Sequence, residues 1–223
     1  MYISYSSSDS YAEYTGISML SLFENNKDTK IDEVFLLDNG ISSKNLKKIC
    51  DIADRYERKL TIMDVSDTLE QYASETKLKK FNGSYSTYAR LIPERIYPQY
   101  VDFLIVIDSD TIINKSIEHL PINNLQEKVI AAIDNPEAHM NPSFLGIDDK
   151  ELLKKKGFYL NCGIMIFNIP KWRENKLPIR IKESILNIKE FRFVDQTIIN
   201  YTMNRDEILF LELTFNSFFS CLS

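Results

Sequence analysis

The sequence has few of the residues that mark special architectures. Among 223 residues there are 6 glycines and 7 prolines, too few for a fibrous or disordered chain. The 3 cysteines, Cys50, Cys162 and Cys221, are odd in number and widely spaced, which argues against a disulfide framework and against the usual spacing of a zinc site. Free thiols are typical of the cytoplasm, so we expect a cytoplasmic protein.

Segments that would bind a membrane or a nucleic acid are also missing. No apolar run reaches the roughly 18 residues of a membrane helix, and Met1–Tyr5 lacks the basic start of a signal peptide. The net charge is −5, and the lysine clusters at 77–80 and 154–156 are short, as on solvated faces. We expect no nucleic-acid partner and at most peripheral contact with the inner face of the membrane. The sequence indicates no oligomeric state.

Glycine-rich phosphate-binding motifs are absent as well. The chain contains neither a Walker A segment nor G-x-G-x-x-G, so the ATPase and dinucleotide-dependent classes lack support. What the chain does contain is an ordinary globular composition, 44% hydrophobic and 26% charged, which is enough for one sizeable core. No repeat, linker or shift in composition divides it, and we predict a single domain over residues 1–223.

Short apolar runs alternate with segments of helical periodicity along the chain. The predicted strands lie at 1–5, 34–37, 60–63, 101–107 and 129–133, with a strand-rich stretch at 158–169. The predicted helices lie at 11–25, 42–56, 84–96, 178–188 and 195–203. Strands that alternate with helices favour an α/β domain with a mainly parallel central sheet flanked by helices.

The most informative segment is the apolar run Val101–Ile107, which is followed by Asp108, Ser109 and Asp110. Ligands of open α/β sheets bind at strand ends, and two carboxylates there are costly unless they hold a cation. Oxygen ligands alone favour Mg²⁺ or Mn²⁺. In a continuing strand both aspartates would face one ion, whereas a turn at Ser109 would let one bind directly and the other through water. A polar turn without metal is the alternative.

Two further charged residues are candidates for the same site. Arg90 lies in the predicted helix before this strand, where its guanidinium would bind phosphate or carboxylate or else face solvent. Asp134 follows the predicted strand at 129–133. It would face the same crevice if the two strands were neighbours, and otherwise it is a turn residue.

Polar residues also interrupt the last predicted strand and begin the last predicted helix. Gly163, after Asn161 and Cys162, indicates either a bulge or a close approach of the backbone to a ligand, and the Asn161 amide suits a hydroxyl-rich ligand. Cys162 has the character of a small buried residue rather than of a nucleophile. Asp195 precedes Gln196 at the helix start, where it would serve at least as an N-cap.

Five segments, in this order, resemble the family 8 glycosyltransferases, retaining enzymes that transfer a hexose from a nucleotide sugar. The family includes bacterial lipopolysaccharide galactosyl- and glucosyltransferases and the glycogenins. The segments are Ser8-Asp9-Ser10-Tyr11, Thr87-Tyr88-Ala89-Arg90-Leu91, Asp108-Ser109-Asp110, Asn161-Cys162-Gly163-Ile164-Met165 with Asn168 and Lys171-Trp172-Arg173, and Asp195-Gln196. Each is weak alone, but their shared order is specific. The resemblance covers nearly the whole chain and implies a GT-A-type nucleotide-diphospho-sugar transferase domain.

The resemblance implies roles for these positions. Asp108 and Asp110 would bind Mn²⁺ (or Mg²⁺), which bridges the diphosphate of UDP-glucose or UDP-galactose. A glycan or lipid-linked saccharide, as in lipopolysaccharide or another bacterial cell-surface glycan, would be the acceptor. Gln196, near the anomeric carbon, and Asp195 would be catalytic. The implied nucleotide-sugar contacts are Asp9 and Tyr11 at the nucleoside, Ser109 within the metal motif, Cys162 within the Asn-x-Gly strand, and Arg90, Asp134, Asn161 and Asp195 at the sugar hydroxyls.

The chain departs from the family pattern in two places. Ser8 and Ser10 stand where the family loop usually carries acidic or amide residues, so uridine binding is expected to be weaker or differently arranged. The family's later His-x-x-Gly-x-x-Lys-Pro-Trp segment supplies a third metal ligand and a lysine for the diphosphate, and no histidine follows His139 here. We therefore expect a domain without the usual closing segment. The prediction is an active transferase, with a catalytically impaired UDP-sugar-binding remnant as the alternative.

Overall fold

The computed structural model describes residues 1–216; Cys221 lies outside them. The strands are β1 Tyr2–Ser7, β2 Glu33–Asp38, β3 Leu60–Asp64, β4 Phe103–Ile107, β5 Ile130–Asp134, β6 Leu160–Asn168 and β7 Ile208–Leu211. They form one sheet in the order β3-β2-β1-β4-β6-β5-β7. Only β6 runs antiparallel to its neighbours, β4 and β5, among these strands. The predicted α/β fold with a mainly parallel sheet is confirmed.

Helices pack on both faces of this sheet. The helices of residues 1–216 are α1 Ala12–Glu24, α2 Ser43–Arg55, α3 Ser66–Thr76, α4 Pro93–Ile96, α5 Pro136–Met140, α6 Ile147–Lys156, α7 Ile169–Glu174, α8 Leu177–Asn187 and α9 Asp195–Thr202. Within residues 1–216, no helix combines the length and the apolar composition that a membrane crossing requires.

Alternate residues of the central strands pack into two cores, one on each face of the sheet. In β2, Phe35 and Leu37 belong to the core that includes residues of α3, α7, α8 and α9, whereas Val34 and Leu36 belong to the core that includes residues of α1 and α2. Strands that are buried on both faces are apolar at nearly every position. This is why continuous apolar runs identified most of the strands.

The helix predicted for residues 84–96 is divided in the structure. A 3₁₀ turn at Ser86–Leu91 is followed by the separate helix α4. Pro93 disfavours helical backbone at Ile92, which has φ −133° and ψ 42°. This break ends the turn that carries Arg90 and lets the chain change direction before β4.

β6 lies between β4 and β5 and reverses the direction of the sheet. Its first residues therefore lie at the edge where β4 and β5 end. Its pairing with β5 shifts between Ala131, opposite Ile166, and Ile133, opposite Asn161. β6 thus carries a bulge across Cys162–Met165, and the bulge is one of the two interpretations that the sequence left open.

Lys156 joins the end of α6 to the end of α9. Its amine donates to the carbonyl oxygens of Asn200, Tyr201 and Met203 at 2.7, 2.8 and 2.7 Å. Burial lowers the pKa of Lys156 to about 8, so the group still has three N–H donors at neutral pH. We predict that Lys156→Met, which leaves these carbonyls without a donor, lowers the free energy of unfolding by about 2–3 kcal/mol in urea denaturation.

Lys155→Met is the matched control, because Lys155 is the exposed neighbour on the same helix. Its loss is expected to change the free energy of unfolding by less than about 0.5 kcal/mol. Equal destabilisation by the two variants would contradict the role assigned to the Lys156 amine.

Candidate active site

A cleft of about 390 Å³ opens at the edge of the sheet where β1 and β4 end. β1 pairs with β2 on one side and with β4 on the other, so the connections leave β1 and β4 in opposite directions. Open α/β sheets bind ligands at such a switch point. Of the predicted site residues, those that line the cleft are Tyr11, Arg90, Asp108, Ser109, Asp110, Cys162, Asp195 and Gln196.

The chain turns directly after β4. The Asp108 N–H donates to the Gly163 carbonyl at 2.8 Å, and the Thr111 N–H donates back to the Asp108 carbonyl at 3.1 Å. The buried Ser109 hydroxyl donates to the Ser6 carbonyl at 3.1 Å. Of the two geometries that the sequence left open, the structure contains the turn. It buries the serine against β1 and leaves the aspartates on either side of it at the cleft.

The two aspartates form a site with unbalanced negative charge. Asp110 makes no hydrogen bond or ion pair with another residue within the described range 1–216, and partial desolvation, together with the charge of Asp108, raises the pKa of its carboxyl. Asp108 uses only Oδ1 in its contact with Arg90. The remaining carboxylate oxygens are hard ligands, and they suit a divalent cation such as Mn²⁺ or Mg²⁺.

The part of the chain that the structure describes brings no third such ligand to this position. No group of three or more His, Cys, Asp or Glu side chains within residues 1–216 is arranged to hold a metal ion. An ion at Asp108 and Asp110 would therefore complete its coordination with substrate oxygens, water or protein groups beyond these residues.

Arg90 lies at the centre of the site and does not face solvent. Its side chain is 9% exposed, and its Nε is 2.9 Å from Oδ2 of Asp195. The two terminal nitrogens donate to Oδ1 of Asp108 and to the Cys162 carbonyl, while the Thr87 hydroxyl donates to Asp195. The guanidinium therefore links the ends of β4, β6 and α9, and it fixes two carboxylates around one cation.

The pKa shifts in this cluster follow from burial and charge. Burial alone would lower the pKa of Arg90, but Asp108 and Asp195 raise it above its ordinary value. Burial raises the pKa of the Asp195 carboxyl, against the opposing effects of Arg90 and Thr87. Burial also raises the pKa of Cys162, so this thiol stays neutral and lacks the activation that a nucleophile needs.

Gln196 is held in the cleft by the bulge of β6. Its Oε1 accepts from the Cys162 N–H at 3.1 Å and from Nδ2 of Asn161 at 3.5 Å. Oδ1 of Asn161 in turn accepts from the Gly163 N–H at 2.8 Å. The bulge thus leaves the Cys162 N–H of the central strand β6 free to orient the Gln196 amide at the cleft.

The residue before Asp195 has an uncommon backbone conformation. Val194 lies at φ 46° and ψ −105°, a region that a β-branched residue rarely adopts. Such conformations cost on the order of 1–3 kcal/mol and persist where the surrounding structure holds them. Val194 is buried and lines the cleft, and its backbone turns the chain so that Asp195 meets Arg90.

Asp9 does not line the cleft, although the neighbouring Tyr11 does. Its Oδ1 accepts from the Ser42 N–H and from Nδ2 of Asn45, both at 2.8 Å. The Ser42 N–H is the main cause that lowers the pKa of Asp9. In this arrangement Asp9 anchors the start of α2 to the turn after β1.

Asp134 and Asn161 lie at the same edge of the sheet but also outside the cleft lining. Because β6 separates β4 from β5, the strand that ends in Asp134 is not the neighbour of the strand that leads to Asp108. Oδ1 of Asp134 accepts from the Tyr159 N–H at 2.9 Å and is 2.8 Å from Nε2 of His139.

Thr87 and Phe193 also line the cleft, although neither was predicted to contribute to the site. Thr87 belongs to the Thr-Tyr-Ala-Arg-Leu segment, so that segment was an available signal. Phe193 packs edge-on against Phe144, with ring centroids 5.7 Å apart. No sequence pattern marks Phe193, because its place at the cleft depends on the turn at Val194.

Known proteins are similar to this chain in sequence. The profile of glycosyl transferase family 8 matches residues 2–223. The lipopolysaccharide 1,2-glucosyltransferase of Escherichia coli K12 is 23% identical over 99% of this chain and 63% of its own length. General stress protein A of Bacillus subtilis 168 is 23% identical over 84% of this chain and 61% of its own length. The chain thus spans about three fifths of these curated relatives.

Solved structures share the fold. The galactosyltransferase LgtC in complex with donor and acceptor sugar analogues superposes with a TM-score of 0.76, at 21% identity over 96% of this chain and 74% of LgtC. WbbM, a bifunctional glycosyltransferase, gives a TM-score of 0.77 at 23% identity over 95% of this chain and 38% of its own. The sheet is therefore of the GT-A type, and the chain belongs to glycosyltransferase family 8.

Proposed function

We propose that this chain is a metal-dependent, retaining hexosyltransferase. It would move glucose or galactose from a UDP-sugar to a glycan or lipid-linked saccharide of a bacterial cell surface, such as lipopolysaccharide, in the cytoplasm or at the inner membrane face. The observation that carries the proposal is the carboxylate pair Asp108 and Asp110 in one cleft with Arg90, Asp195 and Gln196. LgtC, which has a similar fold, binds donor and acceptor sugar analogues, and this supports a nucleotide sugar and a saccharide as substrates.

Asp108 and Asp110 would hold the divalent ion through oxygens that have no other protein partner within residues 1–216. When bound, the ion would neutralise the charge that develops on the departing UDP. Arg90 cannot neutralise the charge on UDP, because the carboxylates of Asp108 and Asp195 already balance the charge of its guanidinium. The protein residues would instead fix the donor sugar beside the diphosphate.

In the transfer, the bond from the anomeric carbon to the UDP oxygen breaks, and a bond to the acceptor hydroxyl oxygen forms on the same face of the sugar. The acceptor proton passes to the departing phosphate oxygen, so no strong general base is required. Gln196 would place its amide dipole beside the anomeric carbon, where positive charge develops. Asp195, oriented by Arg90 and Thr87, would accept a hydrogen bond from a sugar hydroxyl.

The remaining contacts belong to the two ends of the donor. Tyr11, whose ring is 5.8 Å from that of Tyr14, would contact the uracil, and Asp9 would reach the base or ribose by giving up a bond to α2. Asn161 and Asp134 would complete the sugar pocket. Ser109 would contribute its backbone, because its side chain is buried. Cys162 would act through Gln196 and Arg90, which its N–H and carbonyl oxygen hold in place.

A catalytically impaired UDP-sugar-binding protein is the alternative. The observation that favours it is that residues 1–216 bring no third His, Cys, Asp or Glu side chain to the two carboxylates. The loss of one ligand weakens metal binding but leaves the shape of the cleft largely unchanged. Nucleotide binding would then persist with little turnover.

Calorimetry and a turnover assay on the same protein test the proposal. UDP is titrated into the protein with Mn²⁺ and again with a chelator present, and UDP release is then followed with UDP-glucose and UDP-galactose, with and without a saccharide acceptor. We expect UDP binding that requires the metal, and turnover with at least one donor. The anomeric configuration of the product, read by NMR, should match that of the donor.

The outcomes separate the two functions. Metal-dependent UDP binding without transfer or hydrolysis would favour the impaired protein. Absence of UDP binding at any Mn²⁺ concentration would rule out both. An inverted product would contradict the retaining mechanism while leaving the donor assignment in place.

A further inference from the structure

Asn216, the last residue that the structure describes, reaches the candidate active site from the far edge of the sheet. β7 forms that edge among the described strands and runs parallel to its neighbour β5, so both strands end at the side where the cleft opens. A 3₁₀ turn at Leu213–Phe215 follows β7, and Nδ2 of Asn216 then donates to Oδ1 of Asn161 at 2.6 Å. The chain thus crosses the end of β5 to contact the start of β6. The proposed mechanism gives Asn216 no part.

The oxygen that Asn216 contacts is shared with a backbone donor. Oδ1 of Asn161 also accepts from the Gly163 N–H at 2.8 Å, and two bonds fill the two lone pairs of a carbonyl oxygen. A backbone N–H can only donate, so the atom of Asn161 that faces Gly163 must be the oxygen. The atom of Asn216 that faces this oxygen must then be the amide nitrogen. The backbone of β6 therefore fixes the orientation of both amides.

The other end of the Asn161 amide faces the cleft. Its Nδ2 is 3.5 Å from Oε1 of Gln196, which accepts from the Cys162 N–H at 3.1 Å. Cys162 and Gly163 are consecutive residues of the bulge, and their two N–H groups bind the side-chain oxygens of Gln196 and Asn161. Asn161 consequently directs its NH₂ group toward Gln196 and keeps its oxygen turned away from it.

Glycine at position 163 leaves space for this arrangement. A Cβ atom on residue 163 would lie 3.0 Å from Oδ1 of Asn161 and 3.1 Å from Nδ2 of Asn216. Both distances are shorter than an ordinary van der Waals contact, so a side chain here would force the two amides apart. The glycine thus serves the close approach of two side chains of the protein itself.

We infer that Asn216 is a positioning residue that holds Asn161 as a hydrogen-bond donor at the cleft. With its oxygen occupied by Asn216 and Gly163, Asn161 offers only its two N–H groups. One faces Gln196, and the other is available to a hydroxyl oxygen of the donor sugar, which would accept rather than donate at this contact. The inference rests on the proposed function for the sugar, whereas the orientation of Asn161 does not depend on it.

NMR of the protein without nucleotide tests the orientation. The side-chain NH₂ signals of Asn161 in ¹⁵N-labelled protein are assigned by their loss in Asn161→Ala. We expect Asn216→Ala to shift these signals, because one of the two donors to Oδ1 is lost. Asn216→Asp should shift them further, because it keeps the size of the side chain but places a carboxylate oxygen against Oδ1 of Asn161.

Thr214→Ala is the matched control, because Thr214 is an exposed residue of the same 3₁₀ turn. It should leave the Asn161 signals unmoved. Gly163→Ala disturbs the contact between Asn161 and Asn216 from the opposite side, through the added Cβ, and should shift the signals as well. It provides the test if the Asn216 variants do not fold.

Nucleotide binding gives a second readout, which separates positioning from a general structural role. UDP and the UDP-sugars are titrated by calorimetry in the presence of Mn²⁺. Asn216→Ala should weaken binding of the preferred UDP-sugar on the order of tenfold and leave the affinity for UDP within about twofold of wild type. In an Asn161→Ala background, the same replacement should have no further effect on the affinity for the UDP-sugar.

Unmoved Asn161 signals in folded Asn216→Asp would overturn the inference, and so would an equal loss of affinity for UDP and for the UDP-sugar in Asn216→Ala. Shifted Asn161 signals in a protein that binds no UDP at any Mn²⁺ concentration would uphold the positioning of Asn161 and refute the proposed function instead. The two failures are therefore distinguishable in one set of samples.

Discussion

Asp108→Asn is expected to weaken Mn²⁺-dependent UDP binding on the order of 100-fold or more, because it removes one of the two protein ligands proposed for the ion. A neutral amide oxygen is a poorer ligand for a hard cation than a carboxylate. The replacement also removes the negative charge that, after desolvation, raises the pKa of Asp110. Calorimetric titration of UDP, with and without Mn²⁺, measures the change.

Asp102→Asn is the control for this experiment. Asp102 is an exposed carboxylate directly before β4, at the end of the strand opposite to Asp108. Its loss changes the net charge equally and should leave the affinity for UDP within about twofold of wild type. If Asp108→Asn binds UDP with Mn²⁺ as tightly as Asp102→Asn does, the metal assignment is wrong.

Arg90→Met is expected to lower the free energy of unfolding by about 3–5 kcal/mol, since it leaves a buried carboxylate without its cation. Asp195, 10% exposed, would keep only the Thr87 hydroxyl as a strong partner. Urea denaturation measures the loss. Adding Asp195→Asn should recover part of it, because the double variant leaves no uncompensated charge of this pair in the interior.

Arg95→Met provides the comparison. Arg95 pairs with Glu75 at 3.1 Å, with each side chain about one third exposed to solvent, and an exposed pair contributes about 1 kcal/mol or less. Its replacement should therefore cost far less than that of Arg90. If Arg90→Met and Arg95→Met destabilise the protein equally, the buried ion pairs of Arg90 do not stabilise the fold as proposed.

Most of the sheet was predictable because its strands are buried on both faces. Val34–Leu37 and the run before Asp108 are apolar at nearly every position, and both are strands in the structure. Two other elements gave no such signal. α6 has the sequence Ile-Asp-Asp-Lys-Glu-Leu-Leu-Lys-Lys-Lys, in which charged residues hide the helical period. β7 is four residues long and pairs only with β5 among the described strands.

Site residues at the end of a strand or the start of a helix could be predicted from the sequence. Residues whose neighbours depend on the order of the strands in the sheet could not. The turn at Ser109 and the start of α9 bring Asp108 and Asp195 to one guanidinium, as their positions at element ends suggested. The separation of Asp134 from Asp108 could not be read from the sequence. It depends on the insertion of β6 between two strands, which is a long-range property that local patterns do not encode.

The antiparallel course of β6 places one long connection of the chain beside the cleft. Because β5 ends and β6 begins at the same edge, the whole connection at 135–159, with α5 and α6, leaves and returns beside the cleft. Residues inserted or deleted there need not change the register of any strand. This segment reaches the cleft through the contact of Phe144 with Phe193, so it can vary and alter the surroundings of the cleft while the carboxylates after β4 keep their place.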